Sequence, residues 1–202
     1  MLMVGSKLLK YPVLSLHVGG EIAQTLEPII DPDGLKIIGY TLTGPLLRKD
    51  DAGDILDIRS IREFIPRGMI VDSSDEFTRR DEVIRMDKVM SLNFKLVGLK
   101  VVTEDGKNLG KITDYTVDTE SFMVYQLIVH RPALKSFLDP ELTINRSQIT
   151  EVDDYKVTIK HDKEKIKAEE KTKEFTPNFV NPFREPQFSQ IDSQSPDGSD
   201  TE

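Results

Sequence analysis

The sequence predicts an all-β protein, two small closed β-barrels in tandem with a disordered C-terminal tail. Three observations carry that prediction. The chain resembles itself when slid by 87 positions, so that Gly19 falls on Gly106. Each copy alternates apolar and polar residues in short runs between glycine-centred turns. After Ile159 the apolar residues thin out, and charged residues, then Pro, Ser, Gln, Asn and Asp, take over. The organisation that follows is a degenerate first repeat over 1–73, a linker or short helix over 74–91, a second repeat over 92–161, and a charged helix-prone segment with a Pro/Phe/Ser tail over 162–202.

In the repeat alignment Leu9 meets Leu96, Ile22 meets Leu109 and Asp31 meets Asp118. Ile37 meets Val124, Leu42 meets Val129 and Pro45 meets Pro132. A single-residue gap then brings Ile61 onto Ile149 and Val71 onto Ile159. Identities are few, but turn residues fall on turn residues and apolar on apolar.

The second copy is the easier to read. Leu99, Val101 and Thr103 alternate along a first strand, and "EDGK" closes a hairpin with Gly106 free to take positive φ. Thr113, Tyr115 and Val117 are expected on one face of a second strand, ended by the turn "DTES". Met123, Tyr125, Leu127 and Val129 are expected on one face of a third, whose other face is also apolar at Val124 and Ile128, as suits an enclosed strand. Leu142 with Ile144, and Val157 with Ile159, give two more, separated by a polar step at Asn145–Gln148. Several short strands in so few residues suggest a small closed barrel. Between the copies, Val83, Met86 and Met90 recur at near-helical spacing, which reads as a short helix or else an extended linker.

Composition narrows the class. With 38% hydrophobic and 31% charged residues, 202 in all, the chain suits a soluble protein of one large or two small domains. The net charge of -8 opposes direct nucleic-acid binding, which needs clustered Lys and Arg. Absent cysteine removes disulfides, thiolate nucleophiles and Cys-based metal sites. No stretch approaches the roughly 20 apolar residues of a membrane span, and no signal peptide is evident. The expected location is therefore cytoplasmic.

No residue set calls for catalysis or a cofactor. His17, His130 and His161 stand apart, outside any metal-ligand spacing. "DPDG" at Asp31 and "KDDAGD" at Lys49 fail the calcium-loop pattern and read as turns. "GKNLGK" at Gly106 precedes a strand, unlike a phosphate-binding loop. "NRS" at Asn145 matches a glycosylation site by chance. Asp114 and Asp118 flank Tyr115 without a nucleophile beside them. The expectation is a non-enzyme with no metal and no cofactor.

With "DGKNLGKITDYTVD", an aliphatic strand and then "LTINRSQITEVDDYKVTI", the second copy, roughly Leu92 to Lys160, resembles the PRC-barrel family. The first, roughly Ser6 to Ser73, keeps the framework but carries Ala23 where Gly110 sits. The resemblance implies two PRC-type barrels and protein–protein adaptation. Family members include the cytoplasmic part of a photosynthetic reaction-centre subunit, a ribosome maturation factor that binds a small-subunit ribosomal protein, and an archaeal division protein. A non-enzymatic adaptor is thus the leading expectation. A small-subunit assembly role through a basic ribosomal protein is the alternative, and an enzyme with a site between the barrels a further one.

Two regions are candidate partner surfaces. In "HRPALKSFLDPEL" the basic Arg131 and Lys135 adjoin the apolar Phe137 and Leu138, with Leu134 and Leu138 alternatively plugging the barrel end. In the tail Phe179, Phe183 and Phe188 recur beside prolines, either anchoring in a partner's groove or resting on the chain's own barrels.

Overall fold

Both glycines of the repeat do what the alignment asks of them. Gly19 at φ +73° and Gly106 at φ +79° take the left-handed backbone that lets each first hairpin turn. The computed structural model describes residues 1–45, 47, 54–80, 82–131 and 141–160. All of these belong to one compact unit, Met1–His161. The tail lies outside the described residues, and with it the expectation of disorder. Among the described residues no helix is long and apolar enough to cross a membrane.

In chain order the strands are β1 (Leu2–Val4), β2 (Pro12–Ser15), β3 (Gly20–Asp31), β4 (Lys36–Thr43), β5 (Asp54–Asp57), β6 (Glu63–Ile65) and β7 (Gly68–Val71). There follow β8 (Phe77–Arg79), the helix α1 (Ile84–Ser91), β9 (Lys100–Thr103), β10 (Asn108–Asp118), β11 (Val124–His130), β12 (Glu141–Asn145), β13 (Ile149–Val152) and β14 (Lys156–Ile159). The protein is mostly β, and its two sheets share one order. The first runs β6-β7-β2-β3-β4-β5-β8 and the second β13-β14-β9-β10-β11-β12, with β1 added on β10. In each, one parallel contact, β2 with β7 or β9 with β14, sits among antiparallel ones. A bulge recurs too: Ile22 is the extra residue between the Val13–Ala23 and Leu14–Glu21 pairs, and Leu109 between Val102–Asn108 and Val101–Gly110.

Neither sheet closes into a barrel, contrary to expectation. The hydrogen-bonded paths end at β6 and β8 in one and at β12 and β13 in the other. The reason lies in the core. A single apolar cluster runs through both sheets, from Val13, Tyr40 and Leu56 to Val101, Leu127 and Val129. Each curved sheet thus covers its apolar face with the other's residues, and closure on itself is not required.

Bulges also overturn two face assignments. A register shift between Ile112 and Asp114 switches the alternation, so Ile112 and Tyr115 are buried while Thr113 is exposed. A second shift leaves Tyr125 as the extra residue opposite the Thr116–Val117 step. Val124, Leu127 and Val129 face the core and Tyr125 is 51% exposed. Leu8, not Leu9, is the counterpart of Leu96: both are 1% exposed, and Lys10 and Gly98, two residues on, both have positive φ. Lys10 donates its N–H to the Thr25 carbonyl, as Gly98 does to Ile112. The register is thus shifted by one before the hairpin.

The 74–91 stretch is more than a connector. It supplies β8, which pairs with β5, and then α1. Val83, just before the helix, and Met86, Val89 and Met90 on it pack with Ile29, Ile38 and Ile55, forming a small second core on the outer face of the first sheet. Val83, Met86 and Met90, the residues at near-helical spacing, all lie in this second core.

The two halves meet through equivalent residues. Ile37 donates its N–H to the Phe122 carbonyl at 2.9 Å, and Val124 donates to the Leu35 carbonyl at 2.9 Å. Ile37 and Val124 are counterparts in the repeat, as are Leu35 and Phe122, and Lys36 bridges its own counterpart Met123. An approximate two-fold axis therefore passes between Lys36 and Met123. Leading segments are exchanged about it. β1 pairs with β10 of the second sheet, and α1 packs on β3 of the first. Arg146 adds a tie, its Nη2 donating to the Gly34 carbonyl at 2.6 Å.

Two outcomes test this packing. Gly110 has φ +142°, and a Cβ there would lie 2.1 Å from the His130 carbonyl oxygen. Gly110→Ala is expected to cost about 2 kcal/mol or more in urea denaturation, whereas Gly20→Ala, with nothing within 4 Å, stays near wild type. Tyr40 is fully buried and its hydroxyl finds no hydrogen-bond partner among the described residues. Tyr40→Phe is expected to raise stability by about 1 kcal/mol, read from the same denaturation midpoint at unchanged slope.

Candidate functional site

A cleft of about 610 Å³ lies on the two-fold axis. Its walls come in equivalent pairs: Ser6 and Phe94, Leu9 and Val97, Glu27 and Asp114, Pro28 and Tyr115. The pairing follows from the exchanged leading segments. Gly5 lets the first of these approach β10 so closely that a Cβ there would lie 2.5 Å from the Tyr115 ring. The segment after α1 brings Phe94 and Val97 to the opposite wall, beside β3. The helix breaks the symmetry, since its Val89 and Met90 line one side alone.

Three large apolar side chains stand open at this cleft: Leu9 at 44%, Leu26 at 48% and Val97 at 50% exposure. Single exposed apolar residues are ordinary, but three gathered on a concave surface form a contact surface. The polar groups are fewer. Lys95 Nζ lies 3.9 Å from Glu27 Oε1, with both side chains about two-thirds exposed. Asp114 Oδ1 accepts from the N–H of Ser6 at 3.2 Å and of Tyr115 at 2.8 Å. Burial pushes the Tyr115 phenol well above its usual range, so it remains protonated.

Asp118 serves the turn after β10. It accepts from the Ser121 hydroxyl at 2.7 Å, and from the Ser121 N–H and the Met1 amino group at 3.2 Å. The Ser121 hydroxyl first, then the amino group and turn amides, hold its carboxyl down to about 2. Asp114 and Asp118 thus both anchor main chain. His17 and His130 are exposed, and His161 lies outside the described residues. Among the described residues no group of three or more His, Asp or Glu is placed to hold a metal ion. At "DPDG", Asp31 Oδ1 accepts from the Asp33 N–H, as turn chemistry requires. "NRS" leads into a 3-10 turn over Arg146–Gln148, with Asn145 Oδ1 accepting from Gln126 Nε2 at 2.9 Å.

Of the predicted partner residues, Arg131 is half-buried just past β11. Lys135, Phe137, Leu138, Phe179, Phe183 and Phe188 lie outside the described residues. So do Pro132 and Leu134 of the proposed plug, although Leu47, the counterpart of Leu134, packs against the core. Sequence reasoning missed Leu9, Leu26 and Val97. At the spacing of 87 Leu9 aligns with the core residue Leu96, and no neighbouring residue marks Leu26 or Val97 as exposed.

Residues 89–166 match the family model of the PRC-barrel domain. The match spans β9 to β14 and leaves the first sheet outside it. No curated protein matches the chain.

The Asp118 carboxyl gives a pH signature. Its folded value, about 2, lies below the unfolded value of about 3.9. The stabilisation is therefore present above about pH 4 and lost as pH falls through about 2. Thermal unfolding of Asp118→Asn should lose less stability over that window than the wild type does.

Proposed function

We propose that the chain is a non-enzymatic adaptor made of two PRC-barrel-type modules, the second matching the family directly and the first a diverged copy, which holds a protein partner in the cytoplasm. The observation that carries this reading is the match of residues 89–166 to a protein-interaction module, together with the same strand order in the first sheet. The shared order supports duplication because connectivity outlasts sequence identity. The net charge of -8 favours a basic partner. A small-subunit ribosomal protein is the instance that the family resemblance implies.

Native affinity capture with the full chain is the test. The expected result is a protein partner retained in stoichiometric amount, and weakened by Phe137→Ala or by joint Phe179→Ala, Phe183→Ala and Phe188→Ala substitution. Recovery of no protein partner at low ionic strength would overturn the adaptor reading. Co-sedimentation with small-subunit particles would favour the ribosomal partner, and its absence would remove that one.

A further inference from the structure

The cleft on the axis has an unbalanced charge. Its two carboxylates are counterparts, but their surroundings differ. Glu27 has Lys95 beside it. Asp114 uses Oδ1 for two main-chain N–H groups, and among the described residues no cation comes within ion-pair distance of it. Lys7, the counterpart of Lys95, makes no such pair among the described residues. A half-buried carboxylate beside apolar walls gains from a cation brought to it, because the walls lower the local dielectric. The apolar rim of Leu9, Leu26 and Val97 loses water-exposed area only if something apolar enters.

We propose that this cleft docks a short segment of the partner protein in which a large apolar side chain lies next to a lysine or arginine. The apolar side chain enters between Leu26 and Val97, and the cation meets Asp114. The volume, about 610 Å³, falls in the range of about 300–1,000 Å³ typical of sites that enclose a few side chains or a small ligand. The walls are two-fold related, so the cleft alone would accept a segment in either direction. Val89 and Met90 close one side, and the single unpaired carboxylate lies on the other repeat's wall. These two asymmetries select one direction. The proposal rests on the adaptor reading and gives it a place and a ligand chemistry.

The test is selection of a displayed library of short random peptides against the full chain, followed by affinity measurement with a fluorescent selected peptide. The expected consensus is a large apolar residue adjoining Lys or Arg. Leu26→Asp, at a site 48% exposed and with its melting temperature checked against wild type, is expected to weaken binding about tenfold or more. Asp114→Asn keeps the oxygen that accepts from Ser6 and is expected to remove the preference for a basic residue and the salt dependence of binding. Tyr155→Ala, at a residue 82% exposed and away from the cleft lining, should bind as wild type.

Selection of apolar peptides without a basic residue, or equal binding by Leu26→Asp with an unchanged melting temperature, overturns the proposal. The two readings fail separately. If native capture recovers a partner that Leu26→Asp still holds, the cleft proposal falls and the adaptor reading stands. If capture recovers none, the adaptor reading falls.

Discussion

The structure depends on the reciprocal pair of main-chain bonds that joins Ile37 to Phe122 and Val124 to Leu35. To make it, Leu35 and Phe122 adopt left-handed backbone at φ +42° and +57°, although neither is glycine. That conformation costs roughly 1–2 kcal/mol at each. Both side chains are buried, at 3% and 5% exposure, and burying a side chain of that size returns about 1.5–3 kcal/mol. Burial therefore offsets the strain at each position. Phe122 also reaches the first half's aromatic stack, its ring 6.3 Å from Phe64, which itself stacks on Tyr11 at 5.2 Å. Once these turns are joined, the apolar faces of the two sheets are brought into one core.

This junction decides where the cleft lies. The axis is filled at one pole by Lys36, Met123 and their neighbours. At the other pole the two long strands, β3 and β10, are bridged by the leading segments of opposite halves. Those segments differ: one is a strand and a 3-10 turn, the other a helix. A surface built from near-equivalent walls therefore ends up with one helical side and with one carboxylate salt-bridged and its counterpart not. The like strand order of the two sheets gives the cleft its paired walls, and the unlike leading segments give it polarity.

Much of the fold was legible because hairpins are local. Gly19, Gly106 and the apolar alternation mark the strands, and the repeat spacing carried the equivalence of Ile37 with Val124 and of Val71 with Ile159. The failures share a cause in backbone phase. A bulge leaves no signature in residue type, so Thr113 and Tyr125 read as core partners while the ladder turned them outward. β8, a three-residue strand in a polar stretch, is defined by its partner β5 and not by its own sequence. Barrel closure was over-read for a related reason: an alternating strand says which face is buried but not whose residues bury it. The cleft was illegible because its walls are far apart in sequence, and because exposure of Leu26 or Val97 is fixed by tertiary neighbours alone.

The exchange of leading segments has a consequence for how the chain is made. Leu2–Val4 leaves the ribosome well ahead of its pairing partners, Thr116 to Asp118, which emerge more than a hundred residues later. Until then the strand has an unsatisfied edge and Leu8 has no complete apolar setting. Nascent chains stalled before β10 should therefore be clients of the chaperones that shield early hydrophobic segments. Final locking of the fold is a late event in synthesis, slowed by the sequence distance it must close.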